Sequence, residues 1–139
     1  MKAVRIHEYG DSGSLRVEEI PRVSISDDQV LVRVHDAGVN PIDWKIRQGY
    51  LKQVMPASFP LTLGQDFAGE VAERGKGIKR FAMGDRVFGF AGGAYAEYVA
   101  APESTVAAIP DSMDFATAAA LPTAGLTAEP GSEVSAARE

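Results

Sequence analysis

The stretch QVLVRVHDAGVNPIDWKIR, residues 29–47, decides the fold, because it joins the clearest strand of the chain to a short helix. Side chains repeat with a period of two along Gln29–Ala37, and valines recur at every second position, as is typical of a β-strand. Gly38 ends this strand. Asn40–Arg47 is predicted to form one or two turns of helix, with Asn40 as its cap and Pro41 at its first position.

Short strands separated by glycine-containing turns are predicted on both sides of this stretch. They lie at residues 1–8, 15–20, 67–71, 85–90, 94–99 and 105–109. A longer helix is predicted at Asp111–Leu121, with Ser112 or Asp114 as its cap and Pro122 at its end. Many short strands with one late helix predict a mainly β fold, a closed or nearly closed barrel.

Composition narrows the class of protein. A chain of 139 residues with 45% hydrophobic and 24% charged residues suits one globular domain. A net charge of −5 argues against binding to nucleic acid, since no excess of Lys and Arg is available for phosphates. The chain has no cysteine, which excludes disulfides and thiolate zinc sites. Neither a signal peptide nor an apolar run of about 20 residues is present, so we expect a cytoplasmic protein without a membrane partner.

Five segments, in order, carry a family resemblance: Gly38–Asp43, Gly64–Val71, Gly84–Val87, Gly92–Tyr98 and Ala119–Ala128. Together they resemble the medium-chain dehydrogenase/reductase family, in its quinone oxidoreductase and enone reductase branch. The resemblance covers residues 1–128 and implies a GroES-like, partly open β-barrel with short helices. In the family a dinucleotide-binding α/β domain follows. No G-x-G-x-x-G fingerprint occurs in the sequence, so we expect that domain to be lacking and residues 129–139 to be a disordered tail.

The resemblance also bears on metal binding. Zinc-dependent members of the family place a cysteine ligand near Asn40 and a His-Glu pair where this chain has Gln65 and Asp66. A catalytic zinc needs about three nitrogen, sulfur or oxygen ligands and one open position. Since the amide side chains of Asn40 and Gln65 are poor zinc ligands, we predict that no zinc binds.

Without a metal, fixed hydrogen-bond donors must stabilise the negative charge that develops on a substrate oxygen during hydride transfer. The resemblance places the corner at Asn40–Arg47 beside the nicotinamide. Asn40, Lys45 and Asp43 are therefore the candidate catalytic residues: an amide donor, a cationic donor and a carboxylate that orients them. The alternatives are a helix cap for Asn40, a surface charge for Lys45 and a carboxylate at a helix start for Asp43.

Four further residues are candidates for substrate binding. Trp44 and Tyr50 follow the same corner and could line the substrate pocket, although Trp44 could also be a core residue and Tyr50 a half-exposed loop residue. Gln65 and Asp66 occupy the positions of the missing metal ligands. Asp66 could instead bind backbone amides of a turn.

The last of the five segments runs beside the cofactor in the family. The resemblance therefore implies that Thr123 and Thr127 contact a bound NADP(H) or NAD(H), if a cofactor domain is present. Neither threonine is singled out by composition or spacing alone.

Two functions remain open. The first is the substrate-side domain of a zinc-independent, NAD(P)H-dependent oxidoreductase that reduces quinones or α,β-unsaturated carbonyls, inactive as an isolated chain. The second is a non-enzymatic β-barrel module that self-associates or binds a protein partner. If the cofactor domain is missing, Phe115, Leu121 and Leu126 are expected to be exposed, and exposed apolar patches favour a homodimer.

Overall fold

The strand at residues 29–38 lies inside the larger sheet, with a partner strand on each side. The structure is a computed structural model, and it describes residues 1–128. The elements in chain order are β1 (Lys2–Ile6), β2 (Arg16–Glu19), β3 (Gln29–Gly38), α1 (Pro41–Arg47), β4 (Leu61–Thr62), β5 (Asp66–Arg74), β6 (Arg86–Phe90), β7 (Tyr98–Pro102), β8 (Val106–Ala108) and α2 (Phe115–Ala119). Residues 122–128 are also helical. The mainly β fold class is confirmed.

The strands form two antiparallel sheets. One has the order β7-β3-β5-β6-β8 and the other the order β2-β1-β4. Ala3 of the second sheet forms a β-bridge with Ala96, which lies shortly before β7, and backbone hydrogen bonds on either side of this bridge join Val4 to Tyr95 and Lys2 to Glu97. The β3–β5 pair shifts register twice, between Leu31 and Val32 and again between Val34 and Asp36. Such irregularities bend and twist a sheet, and the curled sheet here forms the partly open GroES-like barrel that the resemblance implies.

The period of two in β3 explains the main core. Val30 and Val32 have no exposed surface and pack with Phe67, Val87 and Val99. A second cluster forms where Ala118 and Ala119 of α2 pack against the sheet. Gly38 makes this contact possible, because a Cβ atom at that position would overlap the carbonyl oxygen of Ala119. The end of β3 is therefore close to α2.

The main differences from the predictions concern two strands and one helix. The strand predicted at residues 94–99 begins later, as β7, because the backbone of Tyr95 donates to Leu63 across the barrel instead. The strand β4 was not predicted, since a pair of residues carries no readable alternation. The helix predicted at residues 111–121 is shorter and begins after Asp114, whose carboxylate accepts from Thr117 N at 2.7 Å.

Pro122 has one role that was predicted and one that was not. It follows the end of α2, and it is also buried at the start of the helical residues 122–128. Proline suits a first helical position, because its missing N–H would have had no partner within the helix. The predicted disorder of residues 129–139 lies outside the described residues.

Candidate functional site

The corner between β3 and α1 is organised around Asn40. Its backbone is extended, with φ −123° and ψ 157°, which places it at the N-cap position of α1. The Asn40 backbone N donates to the Asp43 carboxylate at 2.7 Å, as in one half of a capping box. The Asn40 side-chain amide donates to Asp66 Oδ2 at 2.9 Å. Asn40 thus caps the helix by position and directs its side chain toward a second carboxylate.

Asp66, the first residue of β5, has no exposed surface. Besides the Asn40 amide, it accepts from Thr123 N at 2.9 Å through Oδ2 and from Thr123 Oγ1 at 2.6 Å through Oδ1. These three hydrogen bonds compensate for the burial of a carboxylate that has no cation beside it among the described residues. Asp66 therefore ties the α1 corner to the helical residues 122–128, and it does not bind the amides of its own turn.

Asp43 is the second buried carboxylate, with 4% of its surface exposed. Its Oδ2 accepts from Asn40 N and from the Tyr95 hydroxyl at 2.8 Å, whereas its Oδ1 has no partner among the described residues. Burial raises the pKa of Asp43, the hydrogen bonds from Asn40 and Tyr95 partly offset this, and the nearby Asp66 raises it further. Asp43 therefore binds a proton more readily than an exposed aspartate.

Tyr95 is a member of the site that the sequence did not indicate. Burial, then the hydrogen bond and charge of Asp43, raise the pKa of Tyr95, so its hydroxyl remains a donor. It lies in the segment Gly92–Tyr98, but 52 residues separate it from Asp43. The feature of the sequence that comes closest to indicating Tyr95 is Gly64, because its φ of +89° and its missing side chain leave room for the Tyr95 ring.

Trp44, Lys45 and Tyr50 form a separate, exposed cluster. Trp44 is 42% exposed and Tyr50 68% exposed, and their rings meet edge to face with centroids 5.7 Å apart. Lys45 is also exposed, and its Nζ lies 5.8 Å from the centroid of the Trp44 ring. Trp44 is thus not a core residue. The structure brings these three side chains together but on a different face of α1 from Asp43.

Gln65 lines a cavity of about 420 Å³, together with Asp43 and mostly apolar neighbours such as Ile46, Met55 and Leu63. This volume and this lining suit a small, largely apolar molecule. The backbone oxygen of Gln65 accepts from Ala91 N at 2.8 Å. The side chain of Gln65 remains a candidate for contact with a molecule in the cavity.

The two threonines predicted to contact a cofactor differ in their surroundings. Thr123 directs both its backbone N and its hydroxyl to Asp66, and Thr127 is exposed and donates to the Thr123 carbonyl at 2.7 Å. Their role toward a cofactor stays a prediction.

Residues 1–128 contain neither a cluster of metal ligands nor a helix that could span a membrane. No group of three or more His, Cys, Asp or Glu side chains there could hold a metal ion. Among Asn40, Gln65 and Asp66 only one ligand is anionic, a donor set that fits zinc poorly. That no zinc binds stays a prediction. No helix in this part of the chain is long and apolar enough to cross a membrane.

Comparison with known proteins gives one family and a consistent set of relatives. The family model described as "Alcohol dehydrogenase GroES-like domain" matches residues 26–111. A chloroplastic quinone-oxidoreductase homolog from Spinacia oleracea is 39% identical over 133 residues, which cover 92% of this chain and 40% of that protein. The chain thus spans about 40% of the length of such curated relatives.

Solved structures agree with this likeness. The quinone oxidoreductase of Coxiella burnetii superposes with a TM-score of 0.84 at 38% identity, over 94% of this chain and 43% of that chain. The Escherichia coli quinone oxidoreductase complexed with NADPH gives a TM-score of 0.84 at 31% identity, over 91% of this chain and 39% of that chain.

Proposed function

Since the chain belongs to the alcohol dehydrogenase GroES-like family, in the quinone oxidoreductase branch of the medium-chain dehydrogenases/reductases, we propose that it forms the substrate side of an NAD(P)H-dependent oxidoreductase that reduces quinones or α,β-unsaturated carbonyls without zinc. The observation that carries the proposal is the likeness to the NADPH-complexed Escherichia coli enzyme over 91% of the chain. We further propose a cytoplasmic location, although the Spinacia oleracea relative is named chloroplastic.

The chain has candidate residues for the reacting end of a nicotinamide cofactor but none for its pyrophosphate. A nicotinamide cofactor supplies a hydride, and its pyrophosphate is normally held by a glycine-rich turn at a helix start. The sequence has no such fingerprint, so the residues of this chain would not hold those phosphates by themselves. The residues described here would contribute contacts to the substrate and to the reacting end of the site.

Each candidate residue has a role within that proposal. A quinone or enone oxygen accepts hydrogen bonds and becomes more negative as it is reduced, so it needs donors. Asn40 has one amide hydrogen beyond the one given to Asp66, and Lys45 carries an exposed ammonium group near the Trp44 ring. Asp43 orients the corner through Asn40 N. The aromatic rings of Trp44 and Tyr50 suit contact with a flat, apolar substrate.

The test uses a fusion protein, called the joined protein, in which the chain is linked to the dinucleotide-binding domain of the Escherichia coli quinone oxidoreductase. With NADPH and p-benzoquinone, or with an α,β-unsaturated ketone, we expect turnover from the joined protein and none from either part alone. The Asn40→Ala variant of the joined protein should lose about 100-fold in kcat, the usual effect of removing one donor to a developing oxyanion. A folded joined protein that binds NADPH and reduces no quinone or enone would refute the proposal.

A second candidate function is self-association as a non-enzymatic module. Leu121 and Leu126 are 38% and 59% exposed, and Leu126 borders a groove of about 320 Å³ formed with Phe88, Val106 and Pro122. Phe115, in contrast, is partly buried between His35 and Arg86, so it was wrong to expect it on the exposed face. Light scattering over a concentration series tests the homodimer, and Leu126→Lys should weaken it.

A further inference from the structure

The hydrogen bonds around Asp66 connect two parts of the chain that are far apart in sequence. Asn40 precedes it by 26 residues and Thr123 follows it by 57 residues. Both donate to the same atom, Asp66 Oδ2, at 2.9 Å each. A change at either donor therefore alters the acceptor that the other one uses.

Asp66 itself is held firmly. It pairs with Gly38 in β3 on one side and with Phe90 in β6 on the other, and its side chain has no exposed surface. The carboxylate can follow its donors only by small rotations, so its orientation depends on which hydrogen bonds are formed. Thr123 supplies two of the three, one from its backbone and one from its hydroxyl.

The helical residues 122–128 have fewer anchors. Pro122 is buried and Thr123 is partly buried, whereas residues 124–128 are all exposed. The position of this segment against the barrel thus depends strongly on the Thr123–Asp66 hydrogen bonds.

We infer that Asp66 is a positioning residue, which couples the orientation of the Asn40 side-chain amide to the seating of the helical residues 122–128. When the segment is seated, Thr123 fixes the carboxylate, and the carboxylate fixes the Asn40 amide. When the segment moves away, Asp66 loses two donors and the Asn40 amide loses its fixed partner. The importance of this coupling for turnover rests on the proposed function. The coupling itself exists without cofactor or substrate, so the two claims can fail separately.

Nuclear magnetic resonance on the ¹⁵N-labelled chain tests the coupling, with no cofactor added. Thr123→Val removes the hydroxyl donor and keeps the side-chain shape. We expect hydrogen exchange at the Asn40 side-chain amide to become roughly tenfold faster, given the usual strength of hydrogen bonds to charged groups. Thr123→Ser, which keeps the hydroxyl, should restore the slow exchange. Thr105→Val is the matched control, since its hydroxyl donates to Pro102 O at 3.1 Å in a separate turn.

The reverse experiment covers the case in which Thr123→Val fails to fold. Asn40→Ala should accelerate exchange at the Thr123 backbone amide by a similar factor, while the Thr105 amide is unchanged. Exchange at the Asn40 amide that is the same in Thr123→Val and in the unmodified chain would overturn the inference. So would an unchanged Thr123 amide in Asn40→Ala, whatever the activity of the joined protein.

Discussion

The two faces of α1 both carry candidate site residues, but these residues differ in burial and in hydrogen bonding. On the inner face, Asp43 is buried and its hydrogen bonds reach Asn40 and Tyr95. On the outer face, Trp44 and Lys45 are exposed, the Lys45 ammonium lies near the Trp44 ring, and the Trp44 ring meets that of Tyr50. Changes on the inner face should therefore cost stability, whereas changes on the outer face should leave the fold intact and affect only what binds there.

The largest effect is expected at Asp66, which lies on β5 and contacts the inner side of the α1 corner through the Asn40 amide. Asp66→Ala leaves three partly buried donors without their acceptor, and an unsatisfied donor costs about 1–3 kcal/mol when it is fully buried. We expect the free energy of unfolding to fall by about 4 kcal/mol, measured by urea denaturation. Lys45→Ala is the control on the outer face and should stay within about 0.5 kcal/mol of the unmodified chain. Equal losses in both variants would remove the distinction between the faces.

A second test concerns the space that Tyr95 occupies on the inner side. Gly64 and Gly84 have similar backbones, with φ of +89° and +88°, but only Gly64 lies against the Tyr95 ring and backbone. Gly84→Ala should cost about 1 kcal/mol from backbone strain alone. Gly64→Ala adds a steric clash, and we expect a total of about 3 kcal/mol.

The difference between the two glycine variants measures how tightly Tyr95 is packed. If both cost the same free energy of unfolding, Tyr95 is loosely held and its hydrogen bond to Asp43 is not fixed by packing.

The third effect is a dependence of the free energy of unfolding on pH. Because the pKa of Asp43 is raised above its ordinary value of 3.8, the folded chain holds this proton more tightly than the unfolded chain. The stabilisation that protonated Asp43 contributes is complete below pH 3.8, and it is lost as pH rises through the pKa of Asp43 in the folded chain. Glu70, Glu103 and Asp114 have lowered pKa values and act in the opposite sense.

The Asp43 contribution is isolated by comparison with Asp43→Asn. Relative to this variant, the unmodified chain should lose stability as pH rises from about 4. Urea denaturation at several pH values measures the difference between the two chains. A difference that does not change with pH, or that grows with rising pH, would contradict the raised pKa.

The sequence predicts what depends on neighbouring residues and misses what depends on distant ones. The strand β3, the helix α1 and its cap at Asn40 follow from local alternation and from the Asn-Pro pair, and all three are confirmed. The partner of Asp66 lies 57 residues away and that of Asp43 lies 52 residues away, so no local pattern reveals them.

Dependence on distant residues also explains why the strand predicted at residues 94–99 begins later in the structure. Its alternation is genuine, but the backbone of residues 94–95 donates to residues 63–64 on the other side of the barrel. Long-range backbone pairing determines where a strand begins when the local alternation of side chains is compatible with more than one pairing.

The smallest expected effect concerns the aromatic pair on the outer face. Trp44 and Tyr50 meet at an interplanar angle of 83°, a favourable edge-to-face geometry, but both rings are substantially exposed. A double-mutant cycle with Trp44→Ala and Tyr50→Ala should give a coupling free energy of about 0.5 kcal/mol, the lower end for such pairs. In the protein joined to a dinucleotide-binding domain, the same substitutions should raise the KM for a quinone and leave stability nearly unchanged. A coupling above about 2 kcal/mol would mean that the pair is part of the folded core. An unchanged KM would mean that the outer face of α1 does not meet the substrate, and the contact role would then fall to Gln65 and the cavity that it lines.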